Sequence, residues 1–239
     1  MKIAILISGH IKSYDKYENI NKNLINVLMK ENHECFTFSS IWSNRKINEE
    51  CKINMQILEK NSTVFEIESD KTQEFIEKYK NDKWKEYSHL LEPETCGKSI
   101  AMWYKVEKCY NLMQNYEHKY NLKFDYIFRL RPDIFFEDKF KIKWFQNIKA
   151  NEIAMANWTG KYEIVSHRMM VQFSFGKAFA MRVYCSIYSN IKNIIERNDS
   201  AFTIEGFLYS QMKHYRVAIK RVPIQYYLVK GISHFEKMT

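Results

Sequence analysis

The sequence predicts an α/β fold: a central, mostly parallel sheet with at least one antiparallel strand, flanked by helices. Three observations predict it. The first half alternates strand-like apolar runs with helix-period segments in the order βαβαβ, whereas the second half mixes short strands with helices. The 239 residues also contain only six glycines and three prolines, with no Gly/Ser-rich or Pro-rich linker, so residues 1–239 are expected to form a single domain. A chain of this length buries on the order of 70% of its extended surface and needs no disulfide staples.

Ile3 to Ile7 is an apolar run, and Ile3 to Ser8 reads as a first strand. Tyr17 to Met29 has helical spacing, Cys35 to Ser39 is a strand, Lys46 to Glu59 is a helix and Thr63 to Ile67 a further strand. After a helix over Thr72 to Tyr79, Ser99 to Tyr116 places Ile100, Trp103, Val106, Tyr110 and Met113 three and four residues apart, which is one face of a helix. That helix leads into a strand at Tyr126 to Leu130. Beyond it, Ile153 to Ala156 and Val171 to Phe175 read as strands, Ala178 to Glu196 and Ile204 to Lys213 as helices, and Val217 to Arg221 and Gln225 to Val229 as short terminal strands.

A net charge of +9 is compatible with nucleic acid, an anionic membrane surface or an anionic small substrate. The lysines are scattered among glutamates, as in Glu74 to Glu86, which is the pattern of solvated helix faces. No RNP motif, zinc finger or helix-turn-helix signature occurs, so no specific nucleic-acid binding is expected. The odd set Cys35, Cys51, Cys96, Cys109 and Cys185 has no Cys-x-x-Cys pair and reads as reduced thiols of a cytoplasmic protein. The apolar N-terminal run stops at Ser8-Gly9-His10, short of a secretory signal, and no run approaches the ~20 residues of a membrane span. The sequons at Asn61, Asn157 and Asn198 are therefore expected to stay unmodified.

The most informative segment is Phe124-Asp125-Tyr126-Ile127-Phe128-Arg129-Leu130-Arg131-Pro132-Asp133-Ile134. Pro132 lacks the N–H that a central strand needs, so the strand ends near Arg131. Ligands of open α/β sheets bind outside the carboxyl ends of the strands, which directs Arg129, Arg131 and Asp133 toward a crevice. Arginine suits phosphate, and aspartate supplies a hard oxygen for Mg2+ or Mn2+. The competing reading makes the arginines structural ion pairs, with Glu137 or Asp138 as partners.

Other segments carry weaker signals. Ser8-Gly9-His10-Ile11-Lys12-Ser13 follows the first strand and offers a close backbone approach, with Lys12 for an anion, although one glycine makes no dinucleotide fingerprint. Gln172 and Ser174 share one face of their strand, either lining the crevice for a polyhydroxylated ligand or facing solvent on an edge. Glu205 opens a helix at its second or third position, as a functional carboxylate or as a capping group. His10, His167 and His234 stand alone, and no Gly-x-Ser-x-Gly elbow is present.

Lys2 to Lys12, Ser99 to Val106, Asp125 to Asp133 with its Arg-x-Arg-Pro-Asp, Gln172 to Gly176 and Glu205 with its helix occur in that order over most of the chain. Together they make the sequence similar to a group of viral and bacterial GT-A-type glycosyltransferases. The resemblance implies a Rossmann-like GT-A fold, with a donor half over 1–133 and an acceptor half over 134–239. It implies transfer of a sugar from a nucleotide-sugar donor to a glycan or other hydroxyl acceptor. Ser8, Gly9, His10, Lys12, Trp103, Lys105, Arg129 and Arg131 would meet the donor, with core filling as the competing role of Trp103 and Lys105, and Gln172 and Ser174 the acceptor.

The family's usual Asp-x-Asp motif is reduced here, since Arg131 replaces its first carboxylate and only Asp133 matches the metal ligand. Two readings follow. Either Asp133 holds Mn2+ or Mg2+ with waters and phosphate oxygens, or Arg129 and Arg131 neutralise the departing diphosphate without metal. Glu205, with Asp199 behind it, is the expected base for the acceptor hydroxyl. Two other classes remain open at this stage: a metal-dependent phosphate-transfer enzyme, for which only Glu137 and Asp138 offer a second carboxylate, and a nucleotide- or glycan-binding module without catalysis.

Overall fold

The computed structural model describes residues 1–11, 15–43, 49–80, 93–156, 171–197 and 203–228. Its first strand, β1 (Lys2–His10), has Ile3 to Ile7 fully buried, because both faces of the strand are covered. Two short helices, α1 (Asp15–Ile20) and α2 (Asn26–Lys30), flank a π-helical turn over Asn21–Ile25. They are followed by β2 (Glu34–Ser43), α3 (Glu49–Lys60), β3 (Val64–Ser69), α4 (Thr72–Lys80) and the 28-residue α5 (Pro93–Tyr120).

The second half contains β4 (Tyr126–Leu130), β5 (Ile134–Phe136), α6 (Lys143–Gln146), β6 (Glu152–Ala156) and β7 (Phe173–Gly176). It closes with α7 (Ala178–Cys185), α8 (Ile187–Arg197), α9 (Ile204–His214), β8 (Ala218–Val222) and β9 (Tyr226–Leu228).

Seven strands form one sheet in the order β3-β2-β1-β4-β7-β6-β8. All run parallel except β7, which is antiparallel to both its neighbours. The expected mostly parallel sheet with an antiparallel member is therefore the observed one. Its first four strands have the 3-2-1-4 order of a doubly wound sheet, which reverses between β1 and β4.

Strand alternation divides the core between the two faces. Ala4, Leu6, Phe38, Ile127, Ile153 and Met155 pack under α5, α7, α8 and α9. Ile3, Ile5, Ile7, Phe128, Leu130, Phe173 and Phe175 pack under the α1 to α2 run, α3, α6 and β5. The π turn has a local use: Asn23 takes the Phe140 N–H on its backbone oxygen at 2.8 Å, and its amide donates to the Phe136 carbonyl at 3.2 Å. Asn19 completes the clamp by donating to that carbonyl and accepting from the Phe136 N–H. Together the two asparagines pin β5 to the helical layer.

The structure corrects several expected boundaries. β1 runs on through Gly9 and His10, which pair with Ile41 and Trp42 rather than forming a loop. The expected helix Ala178 to Glu196 is two helices broken at Ser186, whose N–H still reaches the Arg182 carbonyl at 3.0 Å. β7 begins at Phe173, so Gln172 precedes it. The last strand leaves the main sheet to pair with β5, an element too short to show a period.

Candidate functional site

The strand order reverses between β1 and β4, the place where open α/β sheets take ligands in a crevice outside the carboxyl ends of their strands. Gly9 forms one lip. Its φ of +131° is a conformation that glycine supplies without strain, and a side chain there would stand 3.6 Å from the Pro132 ring. Pro132 forms the other lip, after β4 has ended at Leu130 as its missing N–H requires. His10, at the end of β1, turns toward β3, with Nε2 3.8 Å from Asp70 Oδ2 and its ring 6.3 Å from Trp42.

A charged cluster borders the crevice at the ends of β2 and β3. Lys105, on α5, is buried with its Nζ 3.1 Å from Glu68 Oε2 and 3.9 Å from Glu66 Oε1. The same ammonium lies 4.3 Å above the Trp42 ring, which stacks on Tyr104 at 5.7 Å. Burial pushes Glu68 up, but hydrogen bonds from Lys71, Lys105 and Tyr104 outweigh it and hold the carboxyl at about 2. Burial pulls Lys105 below its ordinary range, against the opposing pull of Glu68 and Glu66.

Across the crevice, Arg131 and Asp133 flank Pro132 in a turn where the Ile134 N–H reaches the Arg131 carbonyl at 3.4 Å. Arg131 grips Asp133 bidentately, Nε to Oδ1 at 2.7 Å and Nη2 to Oδ2 at 2.6 Å. Asp133 is only 2% exposed, so the partner of Arg131 is Asp133 and neither Glu137 nor Asp138. Arg129 differs: it is 1% exposed, donates through Nη1 to the Val171 carbonyl, and leaves Nε and Nη2 without an acceptor.

Ser174 pairs with Arg129 across β4 and β7, fully buried, with its hydroxyl beside the Tyr184 phenol. Trp103 is likewise buried, edge-on to Tyr184 at 5.1 Å with its indole N–H unpartnered. Gln172 is tied at both ends, its backbone oxygen to the Arg131 N–H at 3.1 Å and its side-chain oxygen to the Tyr226 hydroxyl at 3.2 Å. Ser8 is buried with an unpartnered hydroxyl, on the same sheet face as Ala4 and Leu6.

Glu205 is the second residue of α9. Thr203 is the cap there, accepting the Gly206 N–H at 3.0 Å, so the carboxylate is not consumed in capping. Lys12 and Asp199 lie outside the described residues, as do His167 and His234. Both Asp133 oxygens are held by Arg131, and no group of three His, Cys, Asp or Glu residues among the described residues is placed to hold a metal. The donor set present does not fit a divalent ion at Asp133. Glu66, Glu68 and Tyr104 join the site without having been expected. The legible signal was Glu66-x-Glu68, a strand spacing that puts both carboxylates on one face at a strand end.

No family model matches this chain, and no curated protein matches it. Among solved structures it is similar to the crystal structure of a glycosyltransferase involved in the glycosylation of the major capsid of PBCV-1. That likeness has a TM-score of 0.45 and 9% identity, over 93% of this chain and 83% of the other. No helix among the described residues is long and apolar enough to cross a membrane.

Proposed function

We propose that the crevice binds a nucleotide-sugar and that the protein transfers the sugar to a hydroxyl acceptor. The observation that carries this reading is the reversal of strand order at β1 and β4, with Gly9 and His10 on one lip and the Arg131–Asp133 pair on the other. The Lys105–Glu68 cluster and the Trp42–Tyr104 stack border the nucleoside side of the crevice, over the ends of β1 to β3. Gln172 and the ends of β7 and β6 border the acceptor side.

Breaking the anomeric C–O bond builds positive character on the sugar and negative charge on the departing diphosphate. Guanidinium and ammonium groups at the lips stabilise that charge as it develops. Arg131, oriented by Asp133, takes this role, so Asp133 serves by positioning Arg131; Lys12 is assigned to it from the sequence alone. The acceptor hydroxyl needs a base. Glu205 is the candidate: three residues separate the end of α9 from β8, which begins beside Asn151 at the amino edge of the sheet, and this supports a first turn of α9 at the sheet's carboxyl edge. Asp199 stands behind Glu205 in this role.

The test is a thermal-shift panel of UDP-, GDP-, CMP- and TDP-sugars, with and without Mn2+, followed by assay of released sugar. One nucleotide class is expected to raise the melting temperature by mass action and to release sugar. Arg131→Met is expected to reduce both effects and Glu205→Gln the release alone. A shift with no release marks a binding module. Silence across the whole panel overturns the crevice reading.

A further inference from the structure

Helix α3 turns one polar side chain into the core. Asn54 stands one turn before Leu58, on the buried face of the helix. It is 4% exposed, and neither its amide oxygen nor its amide nitrogen has a hydrogen-bond partner. A buried amide left unbonded is destabilising, and asparagine is also a weak helix former. Folding alone would favour leucine at this position.

The amide lines a recess of about 20 Å³, whose other walls include Ile7, Ile20, Leu58, Pro132 and Tyr17. These walls carry no charge, since burial pushes the Tyr17 phenol up to about 12. The recess adjoins the candidate crevice, because Pro132 belongs to both. Gly9 follows Ile7 by two residues, so it stands on the same sheet face one step nearer the carboxyl edge. A side chain there would reach to 3.6 Å from the Pro132 ring. Its absence leaves room between β1 and Pro132, above the recess.

Space of this size admits one water-sized group, so a substituent of the substrate enters it and a sugar ring or nucleobase does not. A phosphate or carboxylate would meet no cation among these walls. A hydroxyl would bond the amide but leave the aliphatic walls unfilled. An acetamido group uses every feature: its carbonyl accepts from Asn54 Nδ2, its N–H donates to Oδ1, and its methyl meets the isoleucine and leucine side chains.

We propose that Asn54 and the recess around it receive the acetamido group of an N-acetylated sugar, so that the donor is a nucleotide-linked N-acetylhexosamine. The assignment rests on the transferase reading for the nucleotide and deepens it by naming the class of sugar. It also explains why a buried amide is kept on α3 with both of its ends open.

Calorimetry and thermal shift on the full chain test this with two pairs of ligands: UDP-N-acetylglucosamine against UDP-glucose, and free N-acetylglucosamine against glucose. Within a pair the members differ by an acetamido group in place of a hydroxyl. Wild type is expected to bind the N-acetylated member about tenfold more tightly, the worth of one net hydrogen bond. Asn54→Leu should bring the two members to equal affinity. Its melting temperature without ligand should stay unchanged or rise, because an unpartnered amide is lost. Leu58→Phe, which fills the recess and keeps the amide, should lose the same preference and serves where Asn54→Leu fails to fold.

Equal affinity within both pairs for wild type, or a preference that survives both substitutions, overturns the recess and marks Asn54 as the partner of a buried water. Equal binding of the two UDP-sugars leaves the transferase reading standing without it. A preference between the free sugars that is lost in Asn54→Leu, with no response to any nucleotide-sugar of the panel, supports the recess and removes the transferase reading.

Discussion

Single residues at the sheet's carboxyl edge carry most of the chemistry, and their partners decide how each behaves. Glu68 is held at about 2, below the ordinary 4.5, so its charged form favours the folded state. The stabilisation is complete above about 4.5 and is lost as the pH falls from there toward about 2. Urea midpoints measured across that window should fall more steeply for wild type than for Glu68→Gln, and parallel curves would deny Glu68 this role. Gly9 makes a second prediction. A side chain at φ +131° is strained, so Gly9→Ala should cost about 1–3 kcal/mol in denaturant unfolding. The 3.6 Å gap to Pro132 means that the cost comes from the backbone and not from a clash. Buried thiols give a third: Cys96, Cys109 and Cys185 should resist alkylation in the native protein at neutral pH and react after unfolding.

Among the secondary-structure elements, α5 organises the site by contributing Trp103, Tyr104 and Lys105 from consecutive positions. Its amphipathic spacing was legible from Ser99 to Tyr116, and the helix extends further at both ends to Pro93 and Tyr120. Its seat against α4 was not legible. A side chain added at Gly97 would come within 2.2 Å of the Ile76 side chain and 2.8 Å of the Ile76 Cα. Alanine ordinarily favours a helix over glycine by about 1 kcal/mol, but here the contact is with backbone that has no room to give. Gly97→Ala should therefore destabilise by about 1–3 kcal/mol, and Ile76→Ala in the same chain should recover only part of it. A stabilised Gly97→Ala variant would show that α4 moves freely on α5.

In the molecule as a whole, the two core layers share every central strand, since alternate residues of β1 and β4 feed opposite faces. A sheet common to both layers should melt as one unit. Far-ultraviolet circular dichroism and tryptophan fluorescence are expected to give coincident transitions, whereas two separated transitions would divide the chain into independent halves. The α/β class, the antiparallel member, the end of β4 ahead of Pro132 and the arginine-bearing strand were all readable in the linear chain. Periodicity and a missing N–H act over a few residues, and so they survive without any knowledge of the fold. Ion-pair choice does not survive in this way. Glu68 and Lys105 are 37 residues apart and meet only because β3 and α5 converge. Arg131 chose Asp133 over Glu137 and Asp138 through the turn at Pro132, and Arg129 came to lie under α5 and α7 through the placement of two helices. Register, helix seating and burial are long-range outcomes of packing, and they separate a paired arginine from one left with open donors.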